Sequence, residues 1–139
     1  MVQIDINGFA VLAAAVASMV IGAIWYSPAV FGKIWMSLTG ISDSKIKEMK
    51  SKGMAKSYVI GFIASLVTAY VLAHFVDYAE ATTLIMGMQA GFWVWLGFIA
   101  TTMIGIVLWE NKPVKLYMLN VPYYLISLLV MGSILALWP

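Results

Sequence analysis

The sequence predicts an all-α integral membrane protein, a bundle of four transmembrane helices with an amphipathic interfacial helix in its first loop. Three observations carry that prediction. Of 139 residues, 63% are hydrophobic and only 10% charged, with a mean hydropathy of +0.96, more apolar surface than a soluble domain of this length can hide from water. The apolar residues gather into four runs, at about residues 7–26, 58–76, 84–109 and 116–138. At about 1.5 Å rise per residue each run crosses a hydrocarbon core of about 30 Å. Finally, the basic residues are all lysines and fall on one side of these runs.

Backbone groups inside lipid must pair within their own segment, so the runs are helices and residues 1–139 form a single membrane domain. Trp25, Tyr26, Trp109 and Trp138 sit at run ends, where interfacial aromatics are expected. No Lys or Arg precedes the first run, so it reads as a retained span rather than a cleaved signal peptide.

Pro28 stops the first span, and Phe31, Ile34, Trp35 and Leu38 then recur at i, i+3, i+4 and i+7. That spacing predicts a short helix lying in the interface, ended by Gly40. Ser42 or Asp43 can cap a second, lysine-rich turn or two from Ser44 to Lys52. The third run is long enough to tilt or protrude.

Lys33, Lys45, Lys47, Lys50, Lys52 and Lys56 lie in or beside the loop of residues 27–57, and Lys112 and Lys115 in the loop of residues 110–115; the other side carries Asp5, Asp77 and Glu80. The positive-inside rule makes the lysine-bearing loops cytoplasmic and both termini external. Lys45, Lys47, Lys50 and Lys52 serve as topology determinants or as contacts for anionic lipid, at about 1 kcal/mol per charge near the surface.

A shift of 59 positions lays the second span on the fourth, pairing Lys56 with Lys115 and Tyr58 with Tyr117. Tyr58, Gly61, Ser65 and Thr68 then fall on Tyr117, Asn120, Tyr124 and Ser127, so each span carries a polar or small stripe on one face. Two parallel hairpins related by an axis along the membrane normal would explain the echo, and chance matching of apolar helices would too. Small residues at four-residue spacing form four ridges: Ala10, Ala14, Ser18 and Gly22; Gly61, Ser65, Ala69 and Ala73; Gly87 and Gly91; and Gly97, Thr101 and Gly105. Such ridges let helices approach closely, within the bundle or in a homo-oligomer.

The most unusual group is Asn120 and Pro122 followed by Tyr123 and Tyr124. Pro122 deprives the Met118 carbonyl of its helical donor, so a kink is expected there. With Tyr117, Asn120, Tyr124 and Ser127 on one face, this forms a polar seam, suited to a ligand or pore and equally to interhelical hydrogen bonding. His74, the only histidine, has Tyr70 at i−4 and Asp77 at i+3, an arrangement suited to a pH-responsive group.

Other chemistries find little purchase. Cysteine is absent, which removes thiolate and disulfide chemistry. Without arginine the chain lacks the side chain best suited to bidentate phosphate capture, so no nucleic-acid partner is expected. Met86 and Met88 point about 200° apart on a helix and cannot chelate together. No nucleophile with a base and no carboxylate pair appears, so an enzyme, a metal or another cofactor is not expected. The middles of the spans hold no charged residue, which argues against a charge-driven transporter.

The run Gly22, Trp25, Tyr26, Ser27, Pro28, Phe31, Gly32 and Trp35, the segment Met54 to Tyr58, the pattern Gly91-Phe92-Trp93 and Gly97-Phe98 leading to Thr101-Thr102, and the segment Asn120 to Tyr124 together resemble the family catalogued as domain of unknown function 1761. The resemblance covers nearly the whole chain and implies a small four-span protein of a prokaryotic inner membrane. It implies no activity or ligand. The functional expectation is therefore a small oligomeric channel or transporter-like protein that binds a neutral or weakly polar solute near Asn120 and Tyr124. The alternative is a scaffold whose lysine-rich loop binds lipid or a protein partner.

Overall fold

The computed structural model describes residues 5–139. Helix α1 spans Gly8–Trp25 and starts where the Asn7 side chain accepts hydrogen bonds from the amides of Phe9 and Ala10. Two short helices follow, α2 (Gly32–Thr39) and α3 (Asp43–Ser51). Gly40 ends α2 in the left-handed conformation at φ 75°, which glycine adopts without Cβ strain. Ser42 caps α3 by accepting from the Lys45 amide. Helix α4 spans Ala55–Tyr78, α5 Leu84–Leu108 and α6 Val114–Leu137. The four long helices are each apolar enough to cross a membrane. Helices α4 and α6 each begin a turn or less before their apolar runs, because hydropathy marks the hydrocarbon edge and not the end of backbone hydrogen bonding.

Helices α1 and α5 run away from the terminal end of the bundle, and α4 and α6 return to it, so the two hairpins are parallel. Asn7 donates to the Pro139 carbonyl at 3.1 Å and ties the two chain ends together. The hairpins are not equivalent in their packing. Helix α6 packs on α1, α4 and α5, whereas α5 touches α4 only slightly. Helix α6 is the most enclosed of the four and α5 the least.

The small-residue ridges are used unequally. Ala10, Ala14 and Ser18 of α1 and Ala69 and Ala73 of α4 are buried. Gly87 and Gly91 of α5 lie directly on the backbone of Gly132 and Leu128 of α6, and a Cβ on Gly87 would stand 2.8 Å from that of Ala136. Close backbone contact of this kind replaces the missing hydrophobic drive inside lipid. The predicted ridge of Gly97, Thr101 and Gly105 packs on nothing: Gly97 and Thr101 are exposed and Gly105 has only the Trp109 ring nearby.

That exposed stretch overlaps a feature the hydropathy gives no sign of. Residues Trp95–Ala100 form a π-helix within α5. A π turn shifts the hydrogen-bond register and frees carbonyls from the regular ladder. The Tyr117 hydroxyl of α6 donates to one carbonyl of this segment, Ala100, at 2.7 Å.

Candidate functional site: an aromatic cavity at the lysine-bearing end

The site begins with the turn between α1 and α2. Pro28 cannot continue α1, and the chain reverses so tightly that the Phe31 amide reaches the Trp25 carbonyl at 3.1 Å and the Gly32 amide the Ser27 carbonyl at 2.8 Å. Gly32 permits the turn, since a Cβ there would lie 2.5 Å from the Tyr26 carbonyl oxygen. Phe31 then rests against Trp25 with ring centroids 4.7 Å apart, and α2 folds back over the start of α6.

The short helix predicted after Pro28 is therefore present, but its apolar stripe is divided. Phe31 and Trp35 turn to the bundle, while Ile34 is 52% exposed.

Beneath α2 and α3, and above the first half of α6, lies an open-sided cavity of about 760 Å³. Tyr26, Trp35, Tyr123 and Tyr124 form its aromatic walls with Pro28 and Met36, Asn120 lies among them, and Asp43, Ile46, Lys47 and Lys50 of α3 roof it. The rings brace one another edge-on: Tyr26 meets Tyr123 at 5.4 Å and Trp35 at 6.1 Å between centroids. The Tyr26 hydroxyl donates to Asn120 Oδ1 at 2.7 Å. This joins the end of α1 to the polar seam of α6.

Pro122 is accommodated within an unbroken helix. Two indoles flank it, Trp25 Nε1 donating to the Leu119 carbonyl at 3.0 Å and Trp95 Nε1 to the Val121 carbonyl at 2.9 Å. Tyr123 packs over Gly22, where a Cβ would lie 2.9 Å from its hydroxyl oxygen, and donates to the Ser18 carbonyl at 3.4 Å. The seam of α6 is thus held by α1 and α5 on either side.

Of the residues expected at the site, the structure brings Asn120 and Tyr124 to the cavity, with Pro122 in the helix turn between them. Tyr117 is engaged with the α5 π segment instead. Ser127 is buried deeper in the bundle, and its hydroxyl has no hydrogen-bond partner among the described residues. The matching stripe of α4 does not join them. Tyr58 is 61% exposed, Gly61 meets only the tip of Met19, and Ser65 makes no side-chain hydrogen bond among the described residues. Thr68 bonds back to the Ala64 carbonyl at 2.9 Å and lines a separate apolar groove beside Val94. A hydroxyl that satisfies itself on its own helix can face outward in lipid at little cost, so its position on the wheel does not mark the interior.

His74 and Asp77 also part company. His74 Nδ1 donates to the Tyr70 carbonyl at 2.9 Å, and its ring meets that of Tyr70 edge-on at 4.7 Å. Asp77 lines a small cleft of about 50 Å³ at the terminal end with Asp5 and Asn7. The expected imidazole–carboxylate pair is not formed.

The lysines divide as well. Lys47 and Lys50 face the cavity, whereas Lys52 pairs with Glu48 at 3.0 Å on the outer face of α3 and Lys45 is not part of the lining. Among the described residues no three His, Asp or Glu side chains converge on a common point. The cavity thus combines aromatic walls with an amide, one aspartate and two lysines.

Removing the hydroxyl that ties α1 to the seam tests the arrangement directly. Tyr26→Phe leaves Asn120 Oδ1 without its donor and is expected to cost about 1 kcal/mol. Thermal melting of the purified protein in detergent checks this, and the loss should vanish in an Asn120→Leu background.

The sequence model described as "Protein of unknown function (DUF1761)" matches residues 9–136. The chain belongs to this DUF1761 family. No curated protein and no solved structure matches it. The match takes in all four spans, the tight turn at Gly32 and the seam at Asn120 of this family member, a multi-pass integral membrane protein.

Proposed function

We propose that this protein binds a small, largely apolar solute in the cavity between α3 and α6, as a transporter-like solute site and not as an enzyme or an open channel. The observation that carries the reading is the cavity itself, whose volume of about 760 Å³ falls within the roughly 300–1,000 Å³ of small-molecule sites and whose walls are mainly aromatic with a few converging polar groups. The bundle beyond it is filled. Ala14 and Ala69 are fully buried and Leu72, Leu128 and Met131 nearly so, which favours a solute that enters and leaves at the lysine-bearing end. By the positive-inside rule that end faces the cytoplasm of a prokaryotic cell, with both termini outside.

The test is photolabelling in phosphatidylcholine nanodiscs with hexadecanol carrying a diazirine on its chain. Saturable labelling of the Tyr26–Met36 or Asn120–Tyr124 segment, competed by unlabelled alcohol, is the expected result. Labelling that grows linearly with probe, or is spread evenly over the outward faces of α4 and α5, would reject the reading.

A further inference from the structure

The chemistry of the roof says more about the solute than the walls do. Asp43, Ile46, Lys47 and Lys50 line the cavity at i, i+3, i+4 and i+7, so one face of α3 is turned inward. The only ion pair among the described residues, Lys52 with Glu48, lies on the opposite face. Lys47 and Lys50 therefore meet the cavity without a carboxylate in contact, one helical turn apart, with Cβ atoms about 5–6 Å from each other. Their ammonium groups can converge on a single anion.

Donors prevail elsewhere in the cavity. Asn120 Oδ1 is occupied by the Tyr26 hydroxyl, which leaves the Asn120 amide N–H groups to donate outward. The Tyr124 hydroxyl likewise makes no bond to another described residue. Asp43 is the only acidic side chain in the lining, and it sits in the first turn of α3, where the helix N-terminus favours a carboxylate. Two lysines against one aspartate leave the lining with one net positive charge.

Resting on the reading that this cavity holds a solute, we propose that the solute is a singly anionic, single-chain amphiphile. Its carboxylate or phosphodiester head lies between Lys47 and Lys50 within reach of the Asn120 amide. Its apolar body lies against Tyr26, Trp35, Tyr123 and Tyr124. An amphiphile of this kind suits an interface, because its body leaves water while its head keeps charged partners.

The experiment compares diazirine-bearing hexadecanoic acid with the matching hexadecanol on the wild-type chain and on K47Q/K50Q, with E48Q/K52Q as the outer-face control. All four side chains are exposed, so the variants should melt like the wild type. The acid is expected to half-saturate at least tenfold lower than the alcohol. K47Q/K50Q should erase that advantage, weakening the acid at least tenfold more than the alcohol, and E48Q/K52Q should leave both probes as in the wild type. A single-chain methyl alkyl phosphodiester, which carries one negative charge at neutral pH, should compete with the acid, and inorganic phosphate should not.

Equal half-saturation of acid and alcohol, or an undiminished advantage in K47Q/K50Q, would overturn the anionic assignment and leave the solute cavity standing. Competition by inorganic phosphate alone would overturn the amphiphile in favour of a free anion. Absence of saturable labelling by both probes would remove the cavity reading and this inference with it.

Discussion

Gly91→Leu should prevent the bundle from assembling, while Gly97→Leu, six residues along the same helix, should leave it intact. A Cβ on Gly91 would stand 2.7 Å from the Leu128 carbonyl carbon and 3.2 Å from the Leu129 nitrogen. Those are backbone atoms of α6 and cannot rotate aside, so the two helices must separate. Separation also undoes the neighbouring contacts of Gly87 with Gly132 and Ala136. Inside lipid no hydrophobic term compensates for that loss.

Overpacking at such a site lies at or beyond the upper end of the usual range, about 3 kcal/mol. Nothing lies within 4 Å of a Cβ on Gly97, so its leucine meets only the surroundings of the bundle and should change stability by less than about 1 kcal/mol. Size-exclusion profiles and melting temperatures in a mild detergent separate the two outcomes. A Gly91→Leu protein that elutes and melts like the wild type would show that the α5–α6 contact does not hold the bundle together.

The pair at Gly87 and Gly91 illustrates what the sequence could and could not convey. Glycines four apart announce a close approach, and hydropathy places the helix on which they lie. Neither says which helix receives them. The answer is the stretch from Leu128 to Ala136 on α6, where Gly132 stands opposite Gly87. The same limit explains the ridge at Gly97, whose spacing is equally regular but of which Gly97, inside the π segment, and Thr101, just past it, are exposed. Hydropathy reports transfer into lipid, and both the core and the lipid are apolar, so the pattern in a membrane helix hardly distinguishes its two faces.

Polar residues on α6 and α4 part company for a physical reason. Asn120 cannot satisfy its amide on its own helix and finds Tyr26 of α1. Thr68 can, on the Ala64 carbonyl, and so it stays outside. The cavity combines parts that were each legible, the α6 seam, the stripe of α2 and the lysines of α3. Their juxtaposition depends on the reversal at Gly32, whose geometry is invisible without knowing what its missing Cβ would strike. For that reason nothing in the sequence alone joins Tyr26, Trp35, Met36 and Tyr123 into one site.

Gly32→Val should uncouple the cavity from the bundle. Its Cβ would fall 2.5 Å from the Tyr26 carbonyl oxygen and 2.8 Å from the Ser27 carbonyl carbon, again backbone atoms. The turn must open, and the hydrogen bonds from Phe31 to the Trp25 carbonyl and from Gly32 to the Ser27 carbonyl break with it. Helices α2 and α3 then lose their seat over α6, whereas the contacts among α1, α4, α5 and α6 do not pass through this turn.

The expected outcome is a chain that still melts cooperatively but is cut faster by trypsin at Lys45, Lys47, Lys50 and Lys52, and whose saturable photolabelling falls at least tenfold. Gly40→Ala supplies the comparison. Gly40 lies at the next turn, between α2 and α3, at φ 75° with open space around it, so a methyl group there costs about 1 kcal/mol of backbone strain and strikes nothing. If Gly32→Val and Gly40→Ala behave alike in both assays, the turn is a passive linker and the roof does not depend on it. If only Gly32→Val exposes the lysines and loses the label, the close approach at residue 32 is what builds the cavity.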